Sequence, residues 1–311
     1  MSLFPVPSER VELWNLYCKL RERYWLPGEI PYEDDIVDWK SASSAMTNVL
    51  AGINEYFLNA DNIVTEFIEE KLVEHYKDDR HVTALLTYIK ANEAIHAETY
   101  DKYITVAIPP VMSNKIRASD ASRIPQMEWI SNFYKSNLLV AHLLVAHIIN
   151  EGVFFMSTFD VIACIDTMFP GTFKAFSKMN EMISVDEMSH CTSSCLLLTE
   201  KMANGEITAD EVIAYFRSGV HAAEKFAAII LSERLADITY ERMVKTIKFR
   251  ANFWLDQLGI KPIYSSEESE GYLHAMRFDV TNRVTDFFSS RVAEYAIIGT
   301  CSDKDILDIF K

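Results

Sequence analysis

Glycine and proline are scarce in this chain, nine of each in 311 residues. Both fall well below ordinary usage, and with them go the turn signals that punctuate proteins built from short strands. Cysteine is low and odd in number. Cys18, Cys164, Cys191, Cys195 and Cys301 show no regular spacing, which excludes a disulfide scaffold. The opening MSLFPVPSERVELW lacks the apolar core of a secretory signal, so a reducing cytoplasm is the expected compartment. Positive charge is also short, with 30 Lys and Arg against 45 Asp and Glu and a net charge of −15. A surface that binds nucleic acid needs a basic stripe, so no nucleic acid partner is expected. A Gly-rich phosphate loop and a G-x-G-x-x-G pattern are both missing, which argues against a polyphosphate nucleotide site. The longest apolar run, LLVAHLLVAHII at 138–149, already contains His142 and His147 and is too short to span a bilayer. It reads as a core helix, and no membrane partner is expected.

What is present is helical periodicity over a chain that is 49% apolar, enough for a large core. Apolar residues recur at three- and four-residue spacing near 42–76, 80–105, 127–161, 172–203, 208–233 and 236–257. Breaks fall at 107–126, at FPGT (169–172) and at NGEITAD (204–210). Thr208, with Glu211 three residues on, has the form of a capping box. A polar stretch, SSEESEG, precedes a last expected helix near 277–293. Long helices joined by short loops predict an all-α antiparallel bundle with no internal boundary sharp enough to divide it.

The chemistry begins with four acids and two histidines. Residues three apart share a helix face, so Glu93 with His96 in ANEAIHAETY, and Glu187 with His190 in VDEMSH, each present a carboxylate beside an imidazole. Either pair alone is what a solvated helix face would also show. Glu151, in HIINEGVFFMSTF, and Asp61, in YFLNADNIVTEF, are different, because both sit among apolar residues. A carboxylate on a core face costs several kcal/mol unless it is paired or bound to metal. One acid from each of two helices plus Glu-x-x-His from each of two others is the di-metal carboxylate arrangement. Four carboxylates and two divalent cations balance in charge, and oxygen ligands with imidazole suit iron or manganese.

Tyr100 lies seven residues after Glu93 and four after His96, on the same stripe, whereas the equivalent offset from Glu187 falls on Ser194. Phe155 and Phe159 follow Glu151 at helical spacing and Ile183 precedes Glu187 by four, so all three are expected to wall one dry cavity. A phenol in a dry pocket beside two metals is placed to lose an electron and a proton.

With EAIHAETY, NEGVFFMSTF, DEMSH and LNADNIVTEF in hand, the chain resembles the class I ribonucleotide reductase small, radical-generating subunit over roughly residues 20–311. The resemblance implies a ferritin-like helical bundle with additional helices and a flexible C-terminal tail. It divides the chain into a di-metal domain at 1–293 and a tail at 294–311. It implies metal ligands at Asp61, Glu93, His96, Glu151, Glu187 and His190, two iron ions with manganese as the alternative, and O2 for activation. It further implies the stable radical at Tyr100, with Phe155, Phe159 and Ile183 as its pocket. Trp25, in RYWLPGEI, and Asp186 would form an outward electron path from His96, and Tyr295, in DFFSSRVAEYAIIGT, would relay it. The implied partners are a large (alpha) subunit, bound through the tail CSDKDILDIFK, and a second copy of the chain.

A di-iron oxidase or hydroxylase with the same six ligands explains the metal site but not Tyr100, Trp25, Asp186, Tyr295 and the tail together. An iron-storage protein needs no dry aromatic pocket. A purely structural bundle leaves Asp61 and Glu151 uncompensated. Cys191 and Cys195, four apart, could form a redox pair, but structural burial explains most free thiols.

Overall fold

The computed structural model describes residues 10–270. The expected last helix near 277–293, Tyr295, Cys301 and the tail at 294–311 lie outside the described residues. Eleven α-helices are described: α1 Val11–Glu22, α2 Ile36–Ser41, α3 Ser44–Phe67, α4 Arg80–Val106, α5 Pro110–Arg117, α6 Pro125–Tyr134, α7 Val140–Ile149, α8 Met156–Met168, α9 Lys174–Ala203, α10 Ala209–Ile230 and α11 Tyr240–Gln257. Among the described residues the β component is one isolated bridge, Leu235 to Ile238.

The helix starts are chemically marked. The Ser43 side chain accepts from Met46 N at α3, and Asp79 accepts from His81 N and Val82 N at α4. Thr208 and Glu211 form the expected capping box at α10. Asp35 Oδ1 and Oδ2 accept from Ala175 N and Phe176 N in the first turn of α9. Just before it, Phe173 takes a left-handed φ of 49°, held where its N donates to Asp38 Oδ2.

The sequence reading needs correction in three places. The segment 127–161 is not one helix: α6 ends at Tyr134, and the chain re-enters α7 only at Val140. Within 107–126, read as a break, Pro110 starts the short helix α5, where a proline at the first position loses no helical bond. The apolar run at 138–149 continues through six π-helical residues, Asn150–Phe155, into α8. The resulting helix, Val140–Met168, has the length and composition to cross a membrane, yet its apolar window is wholly buried inside the bundle.

Helix α3 packs along α4, α7 and α8 along α9, and α10 along α11. The inner helices α3, α4, α7–α8 and α9 enclose an aromatic and aliphatic core whose fully buried side chains include Tyr56, Phe57, Tyr100, Phe155, Phe159 and Trp254.

Candidate metal centre

Asp61 on α3, Glu93 and His96 on α4, Glu151 in the π-helical turn, and Glu187 and His190 on α9 are all fully buried. Glu93, Glu151, Glu187 and His190 can each point one ligand atom so that all lie within 4.8 Å of one another. His96 joins through Nδ1, 3.1 Å from Glu187 Oε1 and 3.8 Å from Glu93 Oε2. His190 Nδ1 approaches Glu93 Oε1 at 2.8 Å and Glu187 Oε2 at 3.0 Å. Glu93 and Glu187 thus each turn one oxygen toward each histidine. Glu151 completes that group, whereas Asp61 lies outside it and is linked to it by the charges of Glu93 and Glu187 acting on its carboxyl.

These atoms aim at a common space more than at each other. Both oxygens of Asp61, Glu93 and Glu151, with Glu187 Oε1 and His96 Nδ1, are buried without a directed hydrogen bond. Buried carboxylate oxygens are costly in that state, and a pair of divalent cations is what this donor set satisfies. The electrostatics agree. Burial, then the neighbouring Glu93, holds the Asp61 pKa well above its ordinary range; burial, then Glu187 and Glu93, does the same to Glu151. Burial also opposes charge on His190, but Glu187 and Glu93 outweigh it and raise its pKa to about 9.

Asp186 stands just outside. Its Oδ2 accepts from Trp25 Nε1 at 2.8 Å and lies 3.3 Å from His96 Nε2. A carboxylate oxygen can only accept, so His96 keeps a proton on Nε2, which leaves Nδ1 as the nitrogen that would serve a metal. The Trp25 indole lies nearly parallel to the His96 ring, centroids 6.0 Å apart, and is itself buried.

Tyr100 is fully buried, and its phenol is held well above its ordinary pKa, first by burial and then by the charges of Asp61 and Glu187. Phe57 stacks on it at 4.8 Å and 11°. Phe57 also stacks on Phe159 at 4.9 Å, with Phe155 edge-on at 5.2 Å. Phe155, Phe159 and Ile183 are all buried as expected. Sequence reasoning missed Phe57, although it lies four residues before Asp61 on one face of α3. It also missed Asn180, whose Oδ1 accepts from the Tyr100 hydroxyl at 2.6 Å, and His147, whose Nδ1 lies 3.3 Å from Glu151 Oε1. Burial lowers the His147 pKa to about 3, so this imidazole is neutral. Cys191 and Cys195 are unbridged thiols whose pKa values burial pushes up, which leaves them poor nucleophiles.

Residues 3–270 match the family model described as ribonucleotide reductase, small chain. The ribonucleoside-diphosphate reductase small chain of Variola virus is 24% identical over 97% of this chain and 93% of its own length. The small subunit of Dictyostelium discoideum is 26% identical over 96% and 86%. In fold, the chain is similar to a putative class I ribonucleotide reductase from Bacillus halodurans (TM-score 0.76, 20% identity, 86% of this chain and 98% of that one). It is also similar to a dimanganese(II)-NrdF from Streptococcus sanguinis (TM-score 0.71, 18% identity, 89% and 99%). With a match across most of its length, and a buried carboxylate and histidine cluster fit for a pair of metals, the chain belongs to the ribonucleotide reductase small-chain family.

Proposed function

We propose that this small subunit of a ribonucleoside-diphosphate reductase stores an oxidising equivalent on Tyr100 and hands it to a large subunit for reduction of ribonucleotides. The observation that carries the reading is Tyr100 itself, a fully buried phenol sealed by Phe57 on the same helix stripe as Glu93 and His96. Asp61, Glu93, His96, Glu151, Glu187 and His190 are the residues to hold two iron or two manganese ions. When bound, and given O2, such a pair supplies an oxidant strong enough for a phenol. The chain's own residues do the rest. Asp186 fixes the His96 tautomer, Phe57, Phe155, Phe159 and Ile183 exclude water from Tyr100, and Trp25 offers its indole on the outward side. The path continues through Tyr295 to a large subunit docked on the tail. The division at 1–293 and 294–311, pairing with a second copy, and work in a reducing cytoplasm, which the unbridged thiols fit, belong to the same proposal. The hydroxylase reading is not favoured, since the family and the relatives named above are reductase small chains.

Anaerobic loading with Fe(II) or Mn(II), admission of O2 and electron paramagnetic resonance test the proposal together. About two metals per chain and a tyrosyl spectrum are expected. Full metal content with no organic radical after activation with either metal overturns it.

A further inference from the structure

The hydrogen bond between Tyr100 and Asn180 has a fixed direction. Asn180 Nδ2 donates to the Phe176 carbonyl at 2.7 Å, and a carbonyl can only accept, so a flipped amide would set two oxygens against each other. Asn180 Oδ1 therefore faces the phenol, and Tyr100 must be the donor. Phe176 is itself held in place, its N bound to Asp35 Oδ2 at 2.9 Å and its ring 4.9 Å from that of Tyr103. The ring plane of Tyr100 is set by Phe57, and its hydroxyl by Asn180. Both oxygens of Asp61, whose charge acts most strongly on this phenol, make no hydrogen bond.

We propose that Asn180 is a positioning residue that keeps the Tyr100 hydroxyl bonded to its own amide oxygen rather than to the unbonded carboxylate of Asp61, and stabilises the phenol over the phenoxyl. The proposal rests on Tyr100 being the stored radical. Oxidation removes one electron and one proton from the phenol; bringing O2 to the level of water takes three electrons more, of which a reduced metal pair would supply two and an external one-electron reductant the last. Asn180 does not take the proton, because a neutral amide oxygen is too weak a base. Once the proton is gone, two lone-pair oxygens face each other across the former bond, and the phenoxyl has no donor at Asn180. The acceptor thus favours the reduced side of the couple.

The test compares wild type with Asn180→Leu, which is close in size and cannot accept, and Asn180→Asp, which when protonated repeats the donor and the acceptor. In the metal-free proteins, the 13Cζ resonance of Tyr100, assigned by its loss in Tyr100→Phe, reports the hydrogen bond. It is expected to move to the position of an unbonded phenol in N180L and to stay near wild type in N180D. After activation, the N180L radical is expected to be reduced by a small hydroxamate about tenfold more slowly, the ratio a buried neutral hydrogen bond supports. The wild-type radical prepared in D2O is expected to show no hydrogen-bonded deuteron at its oxygen, a readout that needs no variant. An unmoved Cζ resonance in N180L, equal reduction rates, or a bonded deuteron lost on replacing Asn180 each overturn the proposal. A wild-type radical that survives in Tyr100→Phe overturns instead the reading on which it rests.

Discussion

At Asp186 Oδ2 two donors meet, Trp25 Nε1 and His96 Nε2, and one carboxylate oxygen thereby joins a buried indole to an imidazole at the centre. Asp186→Ala frees both rings. Metal affinity, read by competition with a chelator, is expected to fall about 10- to 100-fold, the usual effect of losing a partner behind a metal-bound histidine. Trp25→Phe keeps the carboxylate and is expected to retain metal and radical while losing turnover with a large subunit; unchanged turnover would remove Trp25 from the path. The six acids and histidines were legible because Glu-x-x-His and isolated acids in apolar runs are local patterns. Asn180 was not, since its tie to Tyr100 crosses from α9 to α4 over eighty positions of sequence. Phe57 could have been found, because its spacing from Asp61 matches that by which Phe155 follows Glu151.

At the scale of elements, the π-helical turn Asn150–Phe155 sets Glu151 and Gly152 on opposite business. Glu151 faces the centre, while the Gly152 carbonyl accepts from Trp254 Nε1 of α11 at 2.9 Å. A Cβ at 152 would lie 2.3 Å from that nitrogen, so the two helices meet there only because the residue is glycine. Gly152→Ala is expected to destabilise the protein by about 1–3 kcal/mol in denaturant unfolding, and a loss under a few tenths would contradict the close approach. A second tie between the same helices is the buried pair Arg250 and Asp160, with Arg250 Nε–Asp160 Oδ2 at 2.7 Å and Nη2–Oδ1 at 2.5 Å. Arg250→Leu leaves a buried carboxylate without its cation and is expected to cost about 3–5 kcal/mol. Helix type and most spans were legible from periodicity. The break at 135–139 was not, because Leu138 and Leu139 continue the apolar pattern through a segment that carries no helix. Neither was α5, whose Pro109–Pro110 start reads equally as a loop.

At the scale of the whole molecule, several carboxylates are buried together at the centre of a chain of net charge −15. Without metal, Asp61 and Glu151 favour their protonated forms, as burial and their acidic neighbours dictate. A raised folded pKa contributes stability that is full below the ordinary carboxylate value of about 4 and is lost as pH rises toward the folded value. His96 and His190, also raised, act in the same direction, and Glu187, lowered by His190 and His96 against the effect of burial, acts the other way only in acid, below the ordinary carboxylate value. Metal-free protein is therefore expected to melt at a lower temperature as pH rises through neutrality, and metal-loaded protein to show a smaller dependence. Equal slopes in scanning calorimetry would contradict a charge-compensating metal pair. The central claim, that Tyr100 is the oxidised residue, is tested most directly by electron paramagnetic resonance of wild type and Tyr100→Phe activated side by side at equal metal content. The account predicts a tyrosyl signal in wild type and none in the variant; the same signal in both would contradict it.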